Sequence, residues 1–562
     1  MFETVRTFLT EQLLRAGAAW RRSMALMREK GPGQLQFWVI ALLIGVAAGF
    51  AALGFRKGIE GLQAWLYQTD DITLLHSYAQ NLPWYWVLLL PAVGGLIVGF
   101  VLNWTTHDGR VRSVADVIEG AALWDGRVEK RAGIGSALAS FITLSAGGSS
   151  GREGPVVHMA AVISTWIAVR INASGMTGRD LLGCAVAGAV SASFNAPIAG
   201  ALFALEVVLR HFAVHAFAPI AIASVTGTVI NRLEFGGVSE FTLAAPGGVA
   251  FYVELPAFLL LGLTSGVVAV VLMRAIFLAD DLGNGLQNRL RLPPVLRPAV
   301  AGLMLGGIAN FFPHIIGVGY ETTSLALTGN LLFHEAVVFA VLKVVAVAIT
   351  MGGRMGGGVF SPALMVGALT GLAFGLLATA VLPDVSGSQT VYALAGMGAV
   401  AAAVLGAPIS TTLIVFELTG DWQTGLAVMA SVSISTALAS RLVDRSFFLT
   451  QLERRDIHLA AGPQAYVLST VRVASVMRAL SDPRAADEAS AWALIEEGVY
   501  IDGNAMLEAA MPMFEQSGAR FIPVVTIAGE GEPPELWGSL HHVDALQTYN
   551  RRLAETAAEE HA

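Results

Sequence analysis

Long apolar runs, separated by short polar or glycine-rich breaks, fill the chain as far as about residue 460. Several runs are shorter than the ~20 residues that a helix needs to span a bilayer. This pattern predicts an all-α polytopic membrane protein in which some helices stop partway across and line a cavity with their ends. The runs cover 36–56, 84–104, 132–146, 155–171, 181–209, 214–230, 250–279, 297–312, 332–350, 359–382, 390–418 and 424–442.

The composition agrees with a chain whose main surroundings are lipid. Apolar residues make up 55% of the sequence, charged residues make up 14%, and the mean hydropathy is +0.64. These values lie outside the range of soluble domains and make the lipid bilayer an expected partner. The formal net charge of −8 argues against a nucleic acid partner. The single cysteine, Cys184, excludes a disulfide within the chain.

The first 34 residues form a basic, amphipathic segment that does not resemble a cleavable signal peptide. By the positive-inside rule we predict a cytoplasmic amphipathic helix at residues 1–34. With the N- and C-termini in the cytoplasm, the predicted location is the inner (plasma) membrane of a bacterium.

A soluble segment of different composition follows the last apolar run, at residues 459–562. Its pattern predicts the element order β-α-β-β-α. The predicted strands lie at 499–501, 521–525 and 536–540, and the predicted helices cover 504–517 and a segment from about 543.

An internal repeat connects two parts of the membrane region. Residues 187–197 align with 398–408, and this alignment places Glu206 on Glu417. With a modest gap it also places residues 151–155 on 358–362. Duplicated halves with broken helices that meet in the middle of the membrane are typical of transporters. We therefore expect two repeats, at about 83–230 and 296–442.

Glu153 is an ionisable residue between two apolar runs, in the segment GREGPVVH at residues 151–158. A charge at this depth costs roughly 3 kcal/mol or more, so such residues usually face a water-filled pathway or a partner. The surrounding glycines and Pro155 predict a broken helix whose N-terminal amides would hold an anion. The alternative is a structural ion pair between Glu153 and a cation such as Arg152.

An enzymatic alternative arises from the segment GGSSG at residues 147–151, which fits the nucleophile pattern G-x-S-x-G with Ser149 at its centre. With His158 nearby, an intramembrane serine hydrolase is a distant alternative. No orienting acid accompanies the two residues, and the segment also serves as the approach to Glu153. We therefore expect a protein that is not an enzyme, holds no metal and needs no cofactor.

Three segments together carry a family resemblance: GREGPVVH at 151–158, FNAPIAG at 194–200 and GGVFSP at 357–362. They resemble the signature segments of the CLC family of voltage-gated chloride channels and chloride/proton antiporters. The resemblance covers about residues 35–458. It implies a CLC-type inverted repeat of many tilted and broken helices, a homodimer, and one anion pathway in each subunit.

The segment at 459–562 resembles one cystathionine-β-synthase (CBS) motif, of the kind that many CLC proteins carry as a cytoplasmic domain. Residues 476–477 resemble a remnant of the usual start of that motif. Because such motifs normally work in pairs, a second copy would come from the partner subunit. An adenine nucleotide bound there and a ligand-free dimerisation domain both stay open.

The resemblance also implies roles for individual residues. Glu153 matches the family's gate, whose carboxylate occupies an anion site until a proton or chloride displaces it. The amides of Val359 and Phe360 match donors to the anion. Arg152 and Gly154, on either side of the gate, are included in the expected anion site.

Ser113 matches the position of the family's inner serine, which donates its hydroxyl to the anion. Its neighbours depart from the family pattern, which has glycines around the serine and a proline three residues later. In this chain Ser113 and Asp116 also resemble a variant capping box, an ordinary helix start. Both interpretations stay open here, because a hydroxyl can serve a helix and an anion together.

Two further departures bear on the mechanism. Phe448 stands where many CLC proteins have a tyrosine whose hydroxyl contacts the anion. Val207 stands where antiporters commonly have a glutamate that accepts protons from the cytoplasm. We therefore favour passive, channel-like conduction of chloride gated by Glu153, with chloride/proton antiport as the alternative.

Overall fold

The computed structural model describes residues 32–69, 71–173, 175–212, 214–237, 241–243, 251–383, 386, 388–459, 468, 471–526 and 535–561. Residues 1–31 of the predicted helix at 1–34 lie outside the described residues. The chain divides into two compact units. One comprises residues 1–212 and 216–457, and the other comprises residues 213–215 and 458–562.

Helices α1 to α18 fill the membrane region. Their bounds are α1 Gln34–Tyr67, α2 Leu75–Ala79, α3 Trp84–Thr105, α4 Val114–Leu123, α5 Lys130–Ser145, α6 Glu153–Ile171, α7 Gly175–Phe194, α8 Pro197–Phe203, α9 Val214–Phe235, α10 Phe251–Leu290, α11 Arg297–Ala309, α12 Tyr320–Leu327, α13 Phe333–Gly352, α14 Phe360–Val381, α15 Gln389–Leu405, α16 Pro408–Thr419, α17 Trp422–Leu442 and α18 Phe447–Glu453.

Within the described residues, eight helical segments are long and apolar enough to cross a membrane. Four shorter apolar segments accompany them, at 197–209, 294–309, 389–405 and 408–419. The prediction of a mostly helical membrane protein that mixes long and short apolar helices is therefore confirmed.

Two of the apolar runs contain a break that hydrophobicity alone does not reveal. The run at 181–209 ends one helix at Phe194 and begins the next at Pro197, and the run at 390–418 breaks in the same way before Pro408. Asn195 and Gly406 adopt left-handed backbone angles, with φ of 57° and 69°. Proline disfavours helical angles in the residue before it and suits the first helical position, so it stops one helix and starts another.

Two glutamates cap the helices that begin after these breaks, and each glutamate lies in or just after the helix that the other one caps. Glu206 accepts hydrogen bonds from the backbone amides of Ile409 (2.9 Å) and Ser410 (2.8 Å), at the start of α16. Glu417, in α16, accepts from the amides of Ile198 (2.9 Å) and Ala199 (2.8 Å), at the start of α8. Each carboxylate therefore satisfies amides that a helix start leaves without an internal partner.

Within its described residues, the second unit contains a four-stranded sheet and three α-helices. The strands are β1 Arg478–Ala479, β2 Ile501–Asp502, β3 Phe521–Thr526 and β4 Glu535–His541, and the helices are α19 Glu488–Glu496, α20 Leu507–Ser517 and α21 His542–His561. The strand order is β1-β4-β3-β2. Strands β3 and β4 are antiparallel, with Ile522 opposite Leu540, whereas β2 and β3 are parallel.

The core of this unit lies between the sheet and helix α20, where Leu507, Phe514, Ile522 and Leu540 pack together. The order β-α-β-β-α predicted for residues 499 onward is confirmed. Helix α20 begins at Leu507 rather than at residue 504, because residues 503 and 504 form a turn after β2. Strand β1 and helix α19 are additional elements. The CBS identity of the unit stays a prediction.

Candidate functional site

The starts of helices α6 and α14 meet inside the membrane region. Gly151 and Gly358, which precede the two helices, exchange two backbone hydrogen bonds, each 2.7 Å from donor nitrogen to acceptor oxygen. Arg152 and Val359 are the N-cap residues that follow them. A helix start carries unpaired amides and about half a positive charge. Two such partial charges therefore converge at this point.

Glycine permits this close approach. A Cβ atom at Gly151 would lie 2.6 Å from Glu153 Oε2 and 3.1 Å from Pro362 Cδ. Gly357 has a φ of 128°, which other residues rarely adopt. Pro155 and Pro362 each occupy the third position of their helix, within the first turn, where a missing N–H costs no hydrogen bond.

Glu153 is the first residue of α6, and its side chain is 2% exposed. Its Oε1 accepts a short hydrogen bond from the hydroxyl of Ser361, the second residue of α14. The carboxylate therefore lies where the two helix starts meet.

A narrow central cavity adjoins this carboxylate. It brings together six of the residues predicted from the sequence, namely Ser113, Glu153, Gly154, Val359, Phe360 and Phe448. The other lining residues are Val114, Val157, Val190, Phe203, Met351, Gly357, Gly358 and Phe447. None of these described lining residues is a lysine or an arginine, so the positive partial charges that face the cavity belong to helix starts, N–H groups and hydroxyls.

Aromatic rings narrow the central cavity. Phe360 packs against Phe203, with 5.7 Å between the ring centroids. Phe447 and Phe448, both buried, meet edge to face at 5.8 Å. Phe447 also stacks on Phe277 at 5.2 Å. The phenylalanine side chains contribute no hydrogen-bond donor to the cavity.

Ser113 stands immediately before α4 and lines the central cavity. Its backbone N–H donates to Asp116 Oδ2 at 2.7 Å, which is the reciprocal contact of a capping box. Ser113 also lines a second cavity with four arginines. We name this space the arginine cavity after Arg110, Arg354, Arg454 and Arg455.

Arg152 points into a different space from Glu153. Its guanidinium donates to the carbonyl oxygen of Ser193 at 3.2 Å and lies over the ring of Tyr320, 5.4 Å from the centroid. It lines a third cavity with His76 and His314, which we name the histidine cavity. The structure therefore does not bring Arg152 into the lining of the central cavity.

The histidine cavity contains a compact group of ionisable side chains. His76 Nδ1 lies 3.0 Å from Glu321 Oε2, and the rings of His76 and His314 are 4.3 Å apart. Burial lowers the pKa of His76 to about 4. Burial and the neighbouring His76 lower the pKa of His314 to about 4. Both imidazoles are therefore neutral at pH 7.

Val207 lies in a short π-helical turn, Ala204–Leu209, that continues α8. Its side chain is buried. It lies outside the set of residues that line the central cavity. The expectation that an antiporter's proton acceptor is missing here stays a prediction.

Lys343 is a buried residue that the sequence reasoning missed. Its Nζ donates to the carbonyl oxygens of Gly317 (2.9 Å) and Ile315 (3.3 Å), and its side chain is 0% exposed. These contacts hold the loop that leads into Tyr320 beneath the histidine cavity. The sequence does contain a signal for this residue, because Lys343 is the one lysine in the apolar run 332–350. A charge in such a run is costly, as argued for Glu153.

The contacts of Ser149 do not support a serine hydrolase. Within the described residues, the Ser149 hydroxyl has no hydrogen-bond partner, whereas a nucleophilic serine needs an adjacent base. His158 instead directs Nδ1 to the carbonyl oxygen of Ser113, 3.3 Å away. The described part of the chain also contains no cluster of three histidine, cysteine or acidic side chains that could hold a metal ion.

Comparison with known proteins gives a consistent family assignment. Residues 94–440 match the family model for voltage gated chloride channels. A putative chloride channel protein ClcB-like from Ralstonia nicotianae is 33% identical over 69% of this chain and 90% of that protein. The voltage-gated ClC-type chloride channel ClcB of Escherichia coli is 29% identical over 72% of this chain and 96% of that protein.

Solved structures agree in fold. A slow cyanobacterial Cl⁻/H⁺ antiporter superposes with a TM-score of 0.66 at 21% identity, covering 75% of this chain and 97% of that one. A eukaryotic CLC transporter gives a TM-score of 0.63 at 17% identity, covering 93% of this chain and 98% of that one. The sequence matches and the shared fold together show that this chain belongs to the CLC family of voltage gated chloride channels.

Proposed function

We propose that this protein conducts chloride passively across the membrane, with Glu153 as the gate of one pathway in each subunit. The proposal rests on one observation: the Glu153 carboxylate lies between the converging starts of α6 and α14, beside a cavity that Ser113, Val359 and Phe360 share. The chloride channels among its relatives support the choice of ion.

The chemistry of the central cavity suits an anion that must also leave. Partial charges from helix starts attract an anion without the tight hold of a buried lysine or arginine. In this proposal the amides near Gly154, Val359 and Phe360 and the hydroxyl of Ser113 surround chloride. Phe448 supplies a ring edge rather than a hydroxyl, which weakens the site.

Glu153 acts as a tethered competitor for the same partial charges. While it is ionised, its carboxylate occupies the place where an anion would sit, and the Ser361 hydroxyl holds it there. Protonation removes the negative charge that the helix starts attract. Displacement of the Glu153 carboxylate by chloride opens the anion site in the same way. Chloride flux should therefore rise with the concentration of protons and with the concentration of chloride.

The arginine cavity and the histidine cavity form the two approaches to the central cavity. Arg110, Arg354 and Arg455 make the approach at Ser113 strongly positive, and we assign that side to the cytoplasm by the positive-inside rule. The opposite approach is lined by Arg56 and Arg152 and by the acids Glu60 and Glu321, so its formal charges balance. The arginine cavity therefore raises the local chloride concentration without adding a full charge to the binding site itself.

Passive conduction is preferred because two residues that support proton coupling in the family are replaced, by Val207 and by Phe448. The alternative is chloride/proton antiport. It is supported by the fold shared with a slow cyanobacterial Cl⁻/H⁺ antiporter.

A homodimer with duplicated halves, residues 83–230 and 296–442, belongs to the same proposal. The reciprocal caps at Glu206 and Glu417 support the duplication. Ile198 and Ile409, beside those caps, are 54% and 47% exposed, which suits a surface covered by a second subunit. The second unit is proposed as a CBS-like cytoplasmic domain, either ligand-free or bound to an adenine nucleotide.

Purified protein in liposomes with a chloride gradient, a chloride electrode and a pH reporter tests the proposal. We expect chloride to leave down its gradient without uphill proton movement, and E153Q to conduct independently of pH. Uphill proton movement would overturn passive conduction in favour of antiport. Absence of chloride movement with E153Q, in a folded protein, would contradict the gate.

A further inference from the structure

His158 lies five residues after Glu153 on helix α6, and its side chain is 1% exposed. Its Nδ1 is 3.3 Å from the carbonyl oxygen of Ser113. A carbonyl only accepts hydrogen bonds, so Nδ1 carries the hydrogen and Nε2 is the proton acceptor of the ring. Nε2 is buried without a hydrogen-bond partner among the described residues. A buried acceptor in this state calls for a functional explanation.

The His158 ring lines a cavity of about 550 Å³ on the Ser113 side. We name it the acidic cavity, because four carboxylates face it from α4 and from the loops on either side. Three arginines face the same space. The charged lining residues are Asp108, Asp116, Glu119, Glu129, Arg112, Arg127 and Arg455.

Ion pairs neutralise some of these carboxylates. Arg112 lies 2.8 Å from Asp108 and 3.7 Å from Asp116. Arg455 lies 2.8 Å from Asp116. Glu129 also lies within 3.5 Å of Arg112, and its side chain is 47% exposed, which places one carboxylate of the acidic cavity in contact with solvent.

His158 lines the acidic cavity, and Ser113 lines the central cavity with Glu153. The carbonyl oxygen of Ser113 accepts the hydrogen bond of the imidazole. Five residues of α-helix rise by about 7.5 Å, and water molecules over that rise are the connection that the relay requires between His158 and Glu153. Imidazole is also the side chain whose charge changes nearest to neutral pH.

We propose that His158 is the proton relay through which Glu153 is protonated from the Ser113 side. A proton from the acidic cavity bonds to Nε2 and forms an imidazolium. The imidazolium then releases the Nε2 proton, through water, to the Glu153 carboxylate and returns to the neutral ring with its hydrogen on Nδ1. No electron transfer is involved. The relay takes the place of an acid at Val207, and it rests on the proposed role of Glu153 as the gate.

The relay makes chloride flux depend on the pH of one side of the membrane in particular. Protons from the histidine cavity would reach Glu153 independently of His158. Removal of His158 should therefore abolish the response to pH on the Ser113 side and preserve the response to pH on the Arg152 side. A purely structural role of His158 would change both responses together.

The test uses liposomes in which only the protein molecules of one orientation in the membrane conduct chloride. The chain has a single cysteine, Cys184, which is buried, so Q451C adds a second thiol, in the lining of the arginine cavity. A membrane-impermeant thiol reagent added outside then blocks molecules whose Ser113 side faces outward. In the remaining molecules the Ser113 side faces the lumen. Q451C is carried in every variant.

With the parent residues at 153 and 158, we expect lowering the luminal pH to speed chloride efflux by up to about tenfold per pH unit, because the protonated fraction of an ionised acid follows proton activity. With H158Q, luminal pH should have no effect, whereas external pH should act as before. With E153Q, neither pH should matter, and E153Q/H158Q should match E153Q.

The outcomes separate the two proposals. If E153Q behaves as expected but H158Q keeps the luminal response, the relay is wrong and the gate stands. If H158Q slows flux equally in the parent and in the E153Q background, His158 is structural and the relay is wrong. If E153Q retains the pH response, the gate itself is wrong. Flux through E153Q/H158Q shows that H158Q folds.

Discussion

Gly151 and Gly358 pair through two backbone hydrogen bonds of 2.7 Å, and this pair holds the starts of α6 and α14 together. The two glycines are equivalent positions in the predicted repeats. Their pairing places Glu153 of one half beside Ser361 of the other. The contact between the Glu153 carboxylate and the second helix therefore lies where the two predicted repeats meet.

S361A should make the gate easier to displace. A hydrogen bond to a charged group contributes about 1.5–3 kcal/mol, and ~1.4 kcal/mol is a factor of ten. We therefore expect chloride flux at limiting chloride and neutral pH to rise about tenfold in liposomes. S361T keeps the hydroxyl and serves as the matched control. An unchanged or slower flux with S361A would contradict a restraining role for Ser361.

The reciprocal caps predict separate losses of stability. E206A leaves the amides of Ile409 and Ser410 without their carboxylate, and E417A does the same at Ile198 and Ala199. Each change should lower the free energy of unfolding by about 1–2 kcal/mol, the usual cost of losing a helix cap. Thermal unfolding in detergent measures it, with E206Q and E417Q as controls that keep an acceptor. Midpoints equal to the parent protein's would refute the capping role.

F448Y should restore a donor to the central cavity. A hydroxyl that reaches the anion adds about 1 kcal/mol, which corresponds to roughly fivefold tighter binding of chloride. Isothermal titration calorimetry gives the dissociation constant. F447Y is the matched control, because Phe447 stacks on Phe277 at 5.2 Å and is already engaged there. Tighter binding with F447Y and not with F448Y would reverse the assignment of the two rings.

The buried imidazole of His314 predicts a loss of stability in acid. Its pKa in the folded protein is about 4, below the value of about 6.5 in an unfolded chain. The unfolded state therefore takes up a proton first as the pH falls, and stability declines between about pH 6.5 and 4. The His314 ring stacks on Phe339, with 4.0 Å between the centroids, so H314F keeps a ring there and removes this titration. Its unfolding midpoint should fall less than the parent's from pH 7 to pH 5, and equal falls would contradict the prediction.

The position of Glu153 was predictable from the sequence because a carboxylate in an apolar run is costly. The same cost argument applies to Lys343, which was overlooked because no motif surrounds it. The caps of α8 and α16 were harder to foresee. Glu206 lies 203 positions from Ile409, and only the folded chain brings such distant positions together.

Apolar runs predicted the helices but not their interruptions. Hydrophobicity continues through Asn195 and Gly406, and the backbone turns there because proline follows two residues later. The direction in which the Arg152 side chain points could not be predicted from the sequence either. Adjacent residues at a helix start point to different sides, so Glu153 faces the central cavity while Arg152 faces the histidine cavity.

The most direct test of the central claim is the location of bound halide in crystals of E153Q soaked in bromide, whose anomalous scattering identifies the ion. The account predicts a bromide peak in the central cavity, within hydrogen-bond distance of the amides that begin α6 and α14. It also predicts that the parent protein at neutral pH has no peak at the position of the Glu153 carboxylate. A bromide peak elsewhere, with the space between the two helix starts closed in E153Q, would contradict the account.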